Sequence, residues 1–250
     1  VYQANVPGPE LSERLYETWI NPAKSLAGSR RSRGSEYMTS AAAEIAFALR
    51  VLETAPSQTR VLEYGMGWGD WARIAGAFGC RVMATEYSAS RRAHGVAEGL
   101  EVVDLRHVAE ASLDFIHVEH VLEHVPSPRD TMADLVCRLR EGGFLACGVP
   151  NGNGIERLIK KWNWQLNSSS KSAMNAVAPL EHVNCFRLKS LVMLGEAYGL
   201  TTVICTRPAS FPMEPRTGFL GRLRSIAGLT RRAMRTWLFK PDELYVLFTK

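Results

Sequence analysis

The sequence predicts a doubly wound α/β domain on a mostly parallel sheet. Three observations carry this expectation. Short β-prone runs alternate with stretches of helical period from residue 41 onward, and the first run is followed by a glycine-rich turn and another helix. The chain of 250 residues, 46% hydrophobic, is long enough for one well-cored domain of this kind and short for two.

In order along the chain, residues 1–40 are polar and broken by Pro7, Gly8, Pro9 and Pro22, and carry the basic cluster Arg30, Arg31 and Arg33. They read as a mobile or capping arm, with Trp19, Ile20 and Leu26 as its docking residues. The domain proper is expected over 41–250. Ile45, Leu49 and Leu52 recur at helical spacing ahead of Pro56. Arg60 to Tyr64 is a strand, Gly65 to Gly69 a turn, and Asp70 to Phe78 a helix closed by Gly79. Arg81 to Tyr87 is a second strand, Ser88 to Glu98 a helix, Leu100 to Val103 a third strand and Leu113 to Val118 a fourth. Met132, Leu135, Val136 and Leu139 share one face of a helix that Gly142-Gly143 should stop, and Phe144 to Val149 is a buried fifth strand ended by Pro150. The Asn- and Ser-rich stretch 152–180 reads as an insertion over the carboxyl ends of the strands. Arg187 to Tyr198 is a helix capped by Gly199, Thr201 to Thr206 a sixth strand, and Glu243 to Thr249 the last.

Composition narrows the class. The five cysteines are scattered without a C-x-x-C pair, so zinc and redox motifs are absent and buried reduced thiols are expected. No metal is assigned. No apolar run approaches the roughly 18 to 20 residues that span a bilayer, and the first residues lack a signal-peptide layout; a soluble, cytoplasmic protein is expected. The formal charge of +5 and pI near 9.0 permit an anionic partner without specifying one. Much of that charge lies at 208–241, where Arg224, Arg231 and Arg235 fall on one face of a helical pattern and Ile226, Met234 and Trp237 on another. The readings are a helix that packs its apolar stripe on the domain with a solvated basic side, a peripheral contact of 212–240 with an anionic membrane, and a clamp for a phosphorylated or lipid-linked substrate.

The turn after the first strand carries the chemistry. Three glycines at alternate positions, Gly65, Gly67 and Gly69, let the backbone fold sharply and approach a ligand closely. A dinucleotide turn reads G-x-G-x-x-G, whereas here Asp70 stands in place of the last glycine; a P-loop needs a Gly-Lys-Ser/Thr that is missing. Glu63, two residues before Gly65, would repel a pyrophosphate but suits a ligand with ammonium and sulfonium charges, attracting each by about 4 kcal/mol at an effective dielectric near 20. S-adenosylmethionine (SAM) has both cations. Glu86 ends the second strand, 17 positions past Gly69, where an acid accepts both hydroxyls of a ribose.

The stretches Val61-Leu62-Glu63-Tyr64-Gly65-Met66-Gly67-Trp68-Gly69, Glu86, Asp114 to Val125, Gly142 to Asn151 and Glu181 to Leu191 together resemble the class I SAM-dependent methyltransferase superfamily. Within it they are similar to the branch of ubiquinone-pathway O-methyltransferases and small-molecule and sugar methyltransferases. The resemblance covers roughly residues 40 to 206 and the last strand. It implies a Rossmann-like, seven-stranded sheet with the last strand antiparallel. It also implies that Glu63, Gly65, Gly67 and Gly69 hold the methionine half of SAM, Glu86 the ribose, and Glu119 with His120 the region beside the sulfonium. The adenine contact would fall to Asp104, where the chain departs from the family pattern by a short third strand.

Transfer from a sulfonium is an in-line displacement, and a hydroxyl acceptor gains from a general base, typically by about 10² to 10⁴ in rate. His182, in the loop after the fifth strand, is the favoured base, with His124 the alternative and no base the third case. His117, inside the fourth strand, reads as structural. The acceptor class is a small molecule, a sugar or a lipid-linked compound. Rival readings are a nucleic-acid methyltransferase, favoured by the pI but lacking an Asn-Pro-Pro-Tyr motif and a basic aromatic stripe, and a non-catalytic scaffold of the same fold. Oligomeric state is not legible.

Overall fold

Seven strands build the sheet: β1 (Arg60–Tyr64), β2 (Arg81–Thr85), β3 (Glu101–Val102), β4 (Leu113–Glu119), β5 (Leu139–Pro150), β6 (Thr201–Ile204) and β7 (Glu243–Thr249). They lie side by side in the order β3-β2-β1-β4-β5-β7-β6. This is a computed structural model, and it describes residues 3, 5–32, 34–156, 160, 175–178, 181–207 and 243–250. β3, β2, β1, β4 and β5 pair in parallel, while β7 runs antiparallel between β5 and β6. The expected doubly wound sheet with its reversed last strand is thus present.

The helices are α1 (Pro9–Arg14), α2 (Pro22–Ser32), α3 (Ser35–Leu52), α4 (Asp70–Ala77), α5 (Ala89–Ala97), α6 (Pro128–Arg138) and α7 (Leu188–Glu196). Alternation along the central strands feeds two cores. Leu62, Ile116, Val118, Leu145 and Val246 pack with Met132 and Leu135 of α6 and Leu191 of α7, while Val61, Phe115, Ala146 and Leu247 pack with Ile45 of α3 and Trp71 of α4. Each central strand is therefore apolar on both faces, which is why β4 reads as one unbroken buried run up to Glu119. The strand order reverses between β1 and β4, and the crevice outside their carboxyl ends is the position where such sheets bind ligands.

Several boundaries differ from the sequence reading. The fifth strand starts at Leu139, directly after α6, instead of after Gly142-Gly143. Leu139 pairs with Leu113, and the glycine pair is gripped by the last residue: Gly142 donates to the Lys250 carbonyl at 3.0 Å, and the Lys250 amide donates to Gly143 at 3.1 Å. Pairing with distant residues draws the glycines into the strand. β3 and β6 are shorter than expected. Of the five cysteines Cys147 is buried, but Cys137 and Cys205 are exposed, since they lie on outward positions of α6 and just past β6; none is in a disulfide.

The arm is helical. α1 runs into a π-helical turn, Leu15–Trp19, and α2 follows. Leu15 is its buried anchor, whereas Trp19, expected to dock, is 51% exposed. Of the insertion at 152–180 only residues 152–156, 160 and 175–178 are described, and the basic segment 208–241 lies outside the described residues. No described helix is long and apolar enough to cross a membrane.

Candidate active site

Beyond β1 the chain leaves the sheet through Gly65, Gly67 and Gly69, all at positive φ (75°, 56° and 74°). Two acids lie close to this turn, one bound to the helix that follows it and one to the turn itself. Glu63, buried, accepts from the Ala72 amide at 2.9 Å, placing its charge at the positive end of α4 and tying strand to helix. Glu86, just past β2, accepts from the Gly67 amide at 2.8 Å and the Ser88 amide at 2.9 Å. The Thr85 carbonyl adds bonds from the amides of Gly65 and Met66. A Cβ on Gly65 would collide with Val121 and one on Gly69 with Leu100, whereas one on Gly67 would meet nothing within 4 Å. Two of the glycines thus admit the protein's own side chains, and Gly67 presents bare backbone to open space beside the Glu86 carboxylate.

The carboxyl end of β4 holds a buried charge cluster. His117 and Glu119 alternate onto the face shared with α3 and α4. His117 Nδ1 donates to Glu44 Oε1 at 3.1 Å, its Nε2 is 3.4 Å from Glu119 Oε2, and its ring stacks on Trp71 with centroids 4.3 Å apart. Arg207 reaches the same acids, pairing with Glu119 and, at 3.4 Å, with Glu44, and the Tyr245 hydroxyl donates to Glu44 at 3.1 Å. Burial opposes a charge on His117, but Glu44 and Glu119 outweigh it and lift the pKa to about 10. Burial likewise opposes charge on Glu119, yet His117 and Arg207 hold its carboxyl well below the usual carboxylate range. Two cations and two carboxylates therefore neutralise one another. Glu119, expected beside the sulfonium, is engaged in this network.

The chain turns out of β4 at His120, one of the few non-glycine residues at positive φ (53°). Such a conformation costs of order 1–3 kcal/mol and persists where surroundings enforce it. Here Nδ1 faces Glu123 at 3.2 Å and Nε2 faces Glu243 of β7 at 3.1 Å. Burial works against its charge and the two carboxylates prevail, raising its pKa to about 10.

Next along the loop, His124 meets His182. Their rings lie edge to face with centroids 4.6 Å apart, and His182 is buried. His124 Nδ1 donates to the Glu181 carbonyl at 2.8 Å, which leaves the ring's Nε2 as its lone-pair nitrogen in the neutral form. Asn184 locks the two loops together: its amide donates to the Glu123 carbonyl at 3.0 Å, and its side-chain Nδ2 donates to the carbonyls of Leu122 and Val125 at 3.3 and 2.7 Å. Among the described residues two groups bring ligand atoms within 4.8 Å of one another, Glu123 with His124 and His182, and Glu119 with His120 and Glu243. In both, the carboxylate charge is already shared with His120.

Asp104 stands apart from these groups. Its carboxylate caps the turn Leu105–His107 and forms a bidentate pair with Arg106, where the Arg106 hydrogen bonds hold it below the ordinary range. The residues that the sequence reading missed are Glu44, Asn184 and Arg207, together with Tyr16 of the arm, whose hydroxyl lies 3.3 Å from His124 Nδ1. Asn184 sat within a stretch noticed for its likeness; the others gave no local signal.

A family model described as a methyltransferase domain matches residues 35–204. The chain belongs to the methyltransferase domain family. No curated protein matches the sequence. Solved structures of similar fold include a SAM-dependent methyltransferase from Archaeoglobus fulgidus, with TM-score 0.55 and 15% identity, covering 90% of this chain and 99% of that one. Another is the 1,6-didemethyltoxoflavin-N1-methyltransferase of Burkholderia thailandensis (TM-score 0.59, 16% identity, 99% and 92% covered). A third is the phosphoethanolamine N-methyltransferase 2 of Haemonchus contortus (TM-score 0.59, 13% identity), of which this chain, 95% covered, spans 59%. The protein is a SAM-dependent methyltransferase. Its geometry fits that cofactor: the open backbone at Gly67 admits a ligand where a side chain would intrude, and the Glu86 carboxylate has lone pairs beyond its two amide bonds for ribose hydroxyls.

Proposed function

We propose that this methyltransferase methylates a hydroxyl of a small-molecule, sugar or lipid-linked acceptor, with His182 as general base and His124 beside it. In this reading Gly65, Gly67, Gly69 and Glu63 flank the methionine half of the cofactor, Glu86 takes the ribose and Asp104 borders the adenine. The observation that carries the proposal is the pair of His124, partly exposed, and His182, buried, at the carboxyl end of the sheet, held by Asn184 on the same side of the molecule as the glycine turn. The likeness of 181–191 and of the β4 end to O-methylating enzymes supports an oxygen acceptor.

The cofactor supplies an activated methyl on sulfonium. The acceptor hydroxyl would give its proton to the His182 imidazole as its oxygen bonds to the methyl carbon, and the carbon–sulfur bond electrons would leave on the sulfur of S-adenosylhomocysteine (SAH). Holding the acceptor oxygen about 3 Å from that carbon, in line with the breaking bond, supplies much of the rate. Two structural neighbours are named as N-methyltransferases, so the acceptor screen should include amines beside phenols, sugars and lipid-linked alcohols. With a turning-over acceptor in hand, His182→Ala is expected to slow single-turnover transfer by about 10² or more and remove the basic limb of acceleration with pH. A variant with the wild-type rate and pH profile removes His182 from the mechanism, and turnover confined to amines removes the oxygen assignment.

A further inference from the structure

The arm contacts the proposed cleft at the glycine turn, at the ribose side and at the histidine loop. At the glycine turn, the Trp68 indole N–H donates to Ser25 Oγ at 3.3 Å. At the ribose side, the Tyr87 hydroxyl, next to Glu86, donates to the Pro9 carbonyl at 3.4 Å, and Arg91 lies over the rings of both Tyr16 and Trp68 at 5.8 and 5.7 Å. At the histidine loop, Gln3 donates through its amide to the Val183 carbonyl at 2.9 Å and through Nε2 to the His182 carbonyl at 3.0 Å.

Tyr16 links these walls. Its ring meets Tyr87 edge-on with centroids 6.2 Å apart, and its hydroxyl reaches His124 Nδ1 on the opposite side. Because the Glu181 carbonyl can only accept, the hydrogen of the neutral His124 ring sits on Nδ1, shared between that carbonyl and the Tyr16 oxygen. A ring gripped at Nδ1 is held in one orientation, and here its Nε2 lies 3.8 Å from Glu123 Oε1. Burial raises the phenol's pKa to about 12, so the hydroxyl stays protonated well into the alkaline range.

We propose that the N-terminal arm is the roof of the cofactor and acceptor cleft and that Tyr16 is a positioning residue, packing on the cofactor side while its hydroxyl orients His124. Cofactor binding and alignment of the histidine pair are then coupled through one side chain: when the arm lifts, both are lost. The proposal rests on the reading of His124 and His182 as the acceptor-side pair.

The test uses the full chain and SAH as the probe. Hydrogen exchange of residues 5–32 should slow when SAH binds. Tyr16→Ala should weaken SAH binding by about three- to tenfold through loss of aromatic packing. Tyr16→Phe keeps the ring and should bind SAH within about twofold of wild type, while changing the NMR chemical shift of the His124 ring Nδ1, the atom that its hydroxyl meets. Melting curves confirm that each variant folds, and the Phe variant serves if the Ala variant does not. Unchanged arm exchange with SAH, or an unchanged His124 Nδ1 chemical shift in Tyr16→Phe, overturns the proposal. If the wild type itself fails to bind SAH, the assignment of the cofactor cleft falls instead; if it binds and only His182→Ala is without effect, the base assignment falls alone.

Discussion

Gly67 and Gly69 share a left-handed backbone but should respond differently to an added methyl. At Gly69 the Cβ runs into Leu100, so Gly69→Ala is expected to lower the melting temperature most and to affect SAH affinity through general loosening. At Gly67 only the conformational penalty of about 1–2 kcal/mol applies to folding, while the methyl enters the space beside Glu86. Gly67→Ala should therefore weaken SAH binding by about tenfold or more, as calorimetry would read; wild-type affinity would show that the cofactor does not lie against this turn. Glu86→Gln keeps one acceptor oxygen and gives up a charged one, and is expected to cost about 1.5–3 kcal/mol of SAH binding. That Glu63 and Glu86 stand at the carboxyl ends of β1 and β2, near the glycine turn, was legible in the sequence because strand pattern and turn chemistry are local. Tyr16 and Asn184 were not, since their partners lie 108 and 59 to 62 positions away and no local pattern announces such a contact.

At the scale of elements, the cluster of Glu44, His117, Glu119 and Arg207 ties α3, β4 and the segment after β6 into one unit. Removing one member of a buried ion set leaves uncompensated charge, so Glu44→Gln should destabilise the fold by about 3–5 kcal/mol in urea titrations. The pH dependence follows from the shifts. The His117 contribution is complete below its ordinary value of 6.5 and fades as pH climbs towards about 10. The Glu119 contribution is complete above its ordinary 4.5 and fades on acidification through its depressed value. Unfolding measured from 4.5 to 10 should show stability greatest between 4.5 and 6.5 and declining on the alkaline side. His120, raised to about 10 as well, contributes a decline of the same sign, so His117→Gln should reduce the alkaline decline without abolishing it; an undiminished decline would assign it to other groups. His117 read as structural in the sequence, but the charges that surround it come from strands and helices the sequence does not place side by side.

For the whole molecule, the cofactor touches elements from both halves of the sheet only if the cleft at the β1/β4 reversal is its seat. Saturation with SAH at about a hundred times its dissociation constant should then add about 2.7 kcal/mol and raise the melting temperature by about 5–10 °C. A smaller shift in Glu86→Gln at the same concentration is the matching control. The succession of strands and helices, the glycine turn after β1 and the acids at two strand ends were determined by the sequence alone, because periodicity and turn chemistry are local and show within a dozen residues. Only the tertiary structure decided the placement of β7 between β5 and β6, the capture of Gly142 and Gly143 by Lys250, the commitment of Glu63 to α4 and the reach of the arm to the histidine pair. Each of these is a choice of partner across the chain, and a backbone amide or a buried charge carries no mark in its own neighbourhood of which distant group will satisfy it.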